Sequence, residues 1–169
     1  MRKAFVTSLD ETISVNLAAV QSHFHAEDTN SVESALAAFT EDSVWEAPNP
    51  RGLNKRIEGK ASIRPFYQQL FSTMKDVEFR ICYERFATPT RVVDDSICTF
   101  EVAAGGIWEY AVGTLVLMRI VHIFDMRDGK IVKEKVFEMR QPVKDRAELN
   151  ELVEKAKVGQ WEPGRMSQN

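Results

Sequence analysis

The chain has 169 residues, 44% of them hydrophobic and 28% charged, with a formal charge of −3. That size supports one domain able to bury roughly 70% of its unfolded surface without a staple, and the composition excludes a disordered body. A mildly acidic chain with no basic run lacks the footprint of a nucleic-acid binder, and its longest apolar stretch, 113–124, is broken by Arg119 and His122 and is too short for a bilayer, so neither nucleic acid nor membrane is an expected partner.

Residues 1–12 read as a lead-in. Arg2 and Lys3 are followed by Asp10, Glu11 and Asn16 rather than by an apolar segment, so no signal peptide is expected and the cytoplasm is the expected location. From 11 to 26, Ile13, Leu17, Val20 and Phe24 recur at the spacing of an amphipathic helix. Asn30 or Ser31 can cap a second helix over 32–39. Val44 to Ala47 reads as a short strand stopped by Pro48 and Pro50. A polar loop leads to Gly59 and a third helix over 60–74, whose stripe is Ile63, Phe66, Tyr67, Leu70, Phe71 and Met74, with Pro65 in its first turns.

Strands then take over. Runs at 77–86 and 92–103 are joined by Thr88-Pro89-Thr90, and Ile107 to Tyr110 reads as a rim segment before a long strand over 114–125. Asp128-Gly129 marks a hairpin spanning 119–139. A three-residue loop, 127–129, would place Met126 opposite Lys130, Phe124 opposite Val132 and His122 opposite Glu134. Met118, Ile120, His122, Phe124, Val132, Glu134, Val136 and Glu138 then share one face, while Arg119, Lys133 and Lys135 point away. An apolar face carrying a histidine and two glutamates reads as a cavity wall. A last helix covers 145–157, and 159–169 reads as a mobile tail. Helices before antiparallel strands mean α+β, with helices covering one face of a strongly bent sheet.

The two cysteines, Cys82 and Cys98, are expected to be free thiols. CxxC, HxxxH, a glycine-rich phosphate loop and a nucleophile elbow are all missing from the sequence, so metal, nucleotide and serine-hydrolase readings lack support and no cofactor is expected.

The runs FTEDSVWEAP, GKASIRPFY and HIFDMRDGKIVKEKVFEMR resemble the nuclear transport factor two-like superfamily, in particular its SnoaL-like polyketide cyclase and ketosteroid isomerase branches. The resemblance implies a cone-shaped curved antiparallel sheet wrapped around N-terminal helices, a cystatin-like α+β barrel over a single domain at 13–158, with an apolar pocket for a small hydrophobic ligand and a homodimer formed through the outer sheet face. Fold alone does not settle activity in so diverse a superfamily.

The aspartate base of the isomerase branch matches Ala47 and is therefore missing, and Glu46 should point away from the pocket. Matching positions are His23 on the first helix, Tyr67 on the third and His122 on the long strand. The expected catalytic set is His122 oriented by Glu134, with Tyr67 and His23 stabilising an enolate oxygen. Trp45, Phe66, Trp108, Ile120, Val136 and Glu138 are the expected ligand-binding wall. Each has a simpler reading: His122 a satisfied core histidine, Tyr67 a core residue, and His23 with Glu27 an (i, i+4) surface pair. The expected function is cofactor-independent acid–base catalysis (isomerase, cyclase or lyase) on a small hydrophobic carbonyl compound. The alternative is a ligand-binding or dimerisation protein of the same fold.

Overall fold

The computed structural model describes residues 8–48 and 54–157. The tail at 159–169 and most of the lead-in lie outside the described residues. Helix α1, Leu9–Asp28, starts inside the stretch read as lead-in because Ser8 caps it, accepting from the Glu11 amide, with Asp10 and Glu11 in the first turn. It buries Asn16, Val20, His23 and Phe24, so its inward stripe carries polar groups as well as the apolar ones. Helix α2, Val32–Ala37, is a short turn that buries Ala35 and Leu36. Phe39, expected at its end, opens strand β1 instead.

Strand β1, Phe39–Pro48, turns Ser43, Trp45 and Ala47 inward and Glu46 outward, as alternation requires. The polar segment after it forms a short edge strand, β2, Asn54–Glu58, which pairs with β1. Helix α3, Lys60–Ser72, begins at Gly59, whose φ of +83° is a conformation glycine adopts without strain, and buries Ile63, Phe66, Tyr67 and Phe71. Strands β3, Met74–Thr88, β4, Arg91–Val102, β5, Leu115–Arg127, and β6, Lys130–Val143, follow, and helix α4, Arg146–Ala156, is capped by Asp145. The segment around Trp108 forms no strand.

The six strands lie in the order β2-β1-β6-β5-β4-β3, a curved sheet that stays open between its two edges. It is not wholly antiparallel. β1 and β6 are parallel, which is possible because they are far apart in sequence and no hairpin dictates their direction. Helices α1 to α3 fill the concave side, where Val92, Cys98, Phe100, Val116 and Phe124 join one core with Val20, Leu36 and Ile63. The helices do not all cover one face. α4 packs Val153 on the opposite side against Ile81 and Ile97, and Tyr83 donates to the Ala156 carbonyl at 2.7 Å. Apolar residues on that face of β3 and β4 need cover, and the amphipathic α4 supplies it. Among the described residues no helix is long and apolar enough to cross a membrane.

The hairpin departs from the expected register. Asp128 and Gly129 form a two-residue turn with φ of +52° and +71°, the geometry that matches strand twist. Arg127 therefore pairs with Lys130 and Met126 with Ile131, and a bulge at Val132 makes Asp125 pair with Lys133. His122 stands opposite Val136, and Phe124 opposite Glu134. The net slip beyond the bulge is two residues, an even number, so His122 and Glu134 remain on the concave side as diagonal neighbours, whereas at the bulge itself Ile131 takes the buried position expected of Val132.

A Cβ on Gly129 would lie 2.6 Å from Val15 Cγ1, besides requiring a left-handed conformation. Gly129→Ala is expected to cost about 1–2 kcal/mol, lowering Tm by roughly 2–8 °C. Adding Val15→Ala should recover only the part due to the clash, which calorimetry of the single and double variants resolves.

On the outer face Glu46 receives Lys133 at 2.8 Å, Lys135 at 3.2 Å and Arg56 at 2.7 Å. Burial pushes its carboxyl up, but hydrogen bonds from the three cations outweigh this and hold it at about 2, below the ordinary 4.5. A carboxyl depressed on folding contributes stability that is present above its unfolded pKa and lost as pH falls through the folded one. The stability gap between wild type and Glu46→Gln should therefore close between pH 4.5 and about 2 in urea titrations. A gap independent of pH over that range would contradict the assignment.

Candidate functional site

The concave face and the overlying helices leave a cavity lined by Trp45, Tyr67, Phe71 and Leu70 on one side and by Met118, Ile120, His122, Glu134, Val136 and Glu138 on the sheet. Its volume is about 60 Å³ over the positions open to a water centre, against the ~10–15 Å³ that one water requires. There is room for a few waters or a small organic molecule. Trp108 closes the rim: its ring lies 4.8 Å from Phe100, and its Nε1–H donates to Thr73 Oγ1 at 2.9 Å. Trp45 is backed by Phe66 at 4.5 Å. Phe66 therefore supports the wall from behind and does not line it, whereas Trp45, Trp108, Ile120, Val136 and Glu138 do.

At the inner end three polar side chains from three elements converge on one carboxylate, that of Glu134. Tyr67, on α3, donates its hydroxyl to Glu134 Oε2 at 2.5 Å. On the other oxygen, Oε1, His122 Nε2 of β5 lies 3.7 Å away and His23 Nε2 of α1 3.8 Å away. Glu27, one turn beyond His23, brings its Oε1 to 3.4 Å from the same His23 nitrogen and lines the cavity. His23, Tyr67, His122 and Glu134 are each at most 2% exposed. The ring of His23 is fixed from behind by its Nδ1, 3.2 Å from the Ala35 carbonyl. Two imidazole nitrogens, His23 Nε2 and His122 Nδ1, are buried with no aligned hydrogen-bond partner.

The electrostatics follow from this packing. Burial works against a charged His23, but the carboxylates of Glu27 and Glu134 outweigh it and carry its pKa well above the usual 6.5. Glu134 is likewise opposed by burial, yet His23, His122 and the Tyr67 hydroxyl hold its carboxyl below the ordinary 4.5. Burial, and then the charges of Glu134 and Glu27, push the Tyr67 phenol well above 10, so it stays a donor. A second buried carboxylate, Asp94, stands opposite His122 across β4 and β5. It is satisfied by Arg85 Nε at 2.7 Å and Ser96 Oγ at 2.5 Å, and the Arg85 guanidinium lies 5.1 Å over Phe24.

The structure thus brings His23, Tyr67, His122 and Glu134 together. The surface-pair reading of His23 and Glu27 does not survive, because both side chains turn inward on α1. Glu138 stands apart from this centre and pairs with Arg140, whose guanidinium lies over Trp108. Glu46 faces outward, and Ala47 is fully buried. Cys82 and Cys98 are free thiols. Sequence reasoning left out Glu27 and Asp94. The helical spacing of Glu27 from His23 was the available signal for the first, and the place of Asp94 in the inward-facing series of β4 was the signal for the second.

No curated protein sequence matches the chain. Solved structures do. A candidate polyketide cyclase from Xanthomonas campestris pv. campestris superposes with a TM-score of 0.64 at 18% identity, over 85% of this chain and 97% of its own. A candidate isomerase from Bacillus subtilis superposes with a TM-score of 0.63 at 19% identity, over 89% and 97%. An LEH-like epoxide hydrolase from M. tuberculosis gives 0.59 at 15%, over 86% and 94%. At such identities the likeness is one of fold. The model of the SnoaL-like domain matches residues 20–134, well over half the chain and including every member of the buried polar centre, and the chain therefore belongs to the SnoaL-like domain family.

Proposed function

We propose that the cavity carries out general acid–base chemistry on a small hydrophobic carbonyl compound, as an isomerase, cyclase or lyase, with His122 as the group that moves the proton. The observation that carries this reading is the placement of His122. It lines the cavity, its Nδ1 has no partner, and its Nε2 faces the Glu134 carboxylate at 3.7 Å. An imidazole held against a carboxylate, with its other nitrogen free, is suited to accept and return a proton. Glu134 acts as a positioning residue for that ring. Tyr67 and His23 act through Glu134: the Tyr67 proton is committed to Oε2, and His23 lies behind the residues that line the cavity. Trp45, Ile120 and Val136 supply the apolar wall, and the cavity volume favours a compact substrate. The names of the cyclase, isomerase and epoxide hydrolase that share the fold support a small-molecule transformation.

A second reading, a binding protein that holds such a molecule unchanged, is favoured by Ala47 in place of a base. The two are separated by deuterium exchange at the α-carbons of a small cyclic ketone, followed by NMR. Wild type should incorporate solvent deuterium, and His122→Gln, which retains bulk, should lose roughly 10²–10⁴-fold in rate with its circular dichroism unchanged. An unchanged rate would remove His122 from the chemistry, and binding without exchange would establish the second reading.

The homodimer belongs to this proposal too. Because α4 covers part of the outer sheet face, the patch left for a partner copy is Val121, Phe137 and Met139, with Phe137 41% and Met139 67% exposed. Sedimentation equilibrium should show a dimer that Met139→Lys shifts at least tenfold toward monomer.

A further inference from the structure

The distances inside the buried polar centre are too long for hydrogen bonds and leave three potential ligand atoms grouped around one point, slightly wider than a closed coordination shell. Charge-assisted N–H···O bonds run at about 2.7–2.9 Å, whereas His23 Nε2 lies 3.4 Å from Glu27 Oε1 and 3.8 Å from Glu134 Oε1 and makes no aligned bond to either. Metal–ligand bonds near 2.0–2.1 Å, arranged tetrahedrally, separate neighbouring ligand atoms by about 3.3–3.4 Å. The His23, Glu27 and Glu134 donor atoms all fall within 4.8 Å of one another.

The surroundings are those of a metal-binding imidazole and carboxylate. His23 turns its Nδ1 to the Ala35 carbonyl at 3.2 Å, which fixes the ring and leaves Nε2 facing the two glutamates. Tyr67 takes up Glu134 Oε2 and so turns Oε1 toward the same point. His23 is fully buried, so its unpartnered nitrogen is aimed into the cluster and away from water. Two glutamates and one imidazole also bring excess negative charge to a dry site.

We propose that His23 Nε2, Glu27 Oε1 and Glu134 Oε1 bind one divalent transition-metal ion of the zinc type, with the remaining coordination position open to the cavity beside His122. One imidazole with two carboxylates is a donor set that zinc accepts, and three protein ligands with an open position is the pattern of a reactive site. Glu27 and Glu134 both line the cavity, so a small ligand there reaches the ion. Binding displaces the proton on His23 Nε2 into solvent. The site goes beyond the acid–base reading, which assigns no part to Glu27, and leaves proton transfer to His122. The donors come from α1 and β6, and the contribution of α1 has the spacing His23-x3-Glu27, two ligands on one helical face.

The test is zinc titration of the full chain after stripping with EDTA and exchange into metal-free buffer. Wild type should bind one equivalent of Zn²⁺ by isothermal calorimetry, and the Co²⁺-loaded protein should show the visible absorption of a four-coordinate centre. Glu27→Gln should weaken the one-equivalent site at least tenfold, and His23→Gln should abolish it. His25→Gln, an exposed histidine on the same helix, should leave it unchanged. If His23→Gln fails to fold, Glu27→Gln at the edge of the cluster still decides the matter. No stoichiometric binding, or binding indifferent to Glu27→Gln, overturns the proposal. Ketone exchange measured in EDTA separates the two readings: exchange that persists without stoichiometric zinc binding removes the metal site alone, and zinc binding without exchange removes the acid–base reading alone.

Discussion

Everything inside this fold is arranged around the carboxylate of Glu134. A charge with 1% exposure is tolerated only if its oxygens are satisfied and its charge is opposed. One oxygen is met by the Tyr67 hydroxyl and the other faces two imidazoles. Removing one partner of such a buried pair typically costs about 3–5 kcal/mol, so three elements that already share one apolar core are also tied to a single polar point. The first helix brings His23, the third brings Tyr67, and the central hairpin brings His122 with the glutamate itself.

That convergence depends on the sheet's curvature and on one bulge. With strict alternation and no bulge, Val132 would keep its partner and the residues beyond it would pair differently. The extra residue at Val132 shifts β6 so that Phe124 stands opposite Glu134 and His122 opposite Val136. His122 then reaches the carboxylate diagonally, and its ring stacks on Phe124, with the planes nearly parallel at 6° and 5.5 Å between centroids. Without the bulge the same two-residue turn would set Glu134 opposite Ile123 and turn it outward; the bulge returns it to the face where α1 and α3 meet the hairpin.

Around the centre the fold separates two kinds of surface. The concave side is apolar and aromatic, and its small cavity opens beside the polar cluster. The convex side is laced with ion pairs, such as Arg119 with Asp95 at 2.6 Å and Lys133 with Glu46 at 2.8 Å, and α4 covers one part of it. Exposed pairs of this kind contribute little individually. Membership of the SnoaL-like family describes the scaffold; the chemistry belongs to the residues this chain places in it.

Period and turn chemistry made much of this legible. The stripe Ile63, Phe66, Tyr67, Phe71 determined the inward face of α3, the alternation around Trp45 determined that Glu46 points out, and Asp128-Gly129 determined where β5 turns into β6. Those are local signals, written in the spacing of neighbouring residues. The bulge at Val132, the parallel pairing of β1 with β6, the strand at 54–58 and the covering of the outer face by α4 were decided only in three dimensions, because each depends on which distant surface is available to pack against. So was the inward turn of Glu27. On sequence alone a histidine and a glutamate four residues apart are a surface pair. Only the curvature of the sheet beneath α1, which brings Glu134 within 3.8 Å of His23, makes them part of a buried site.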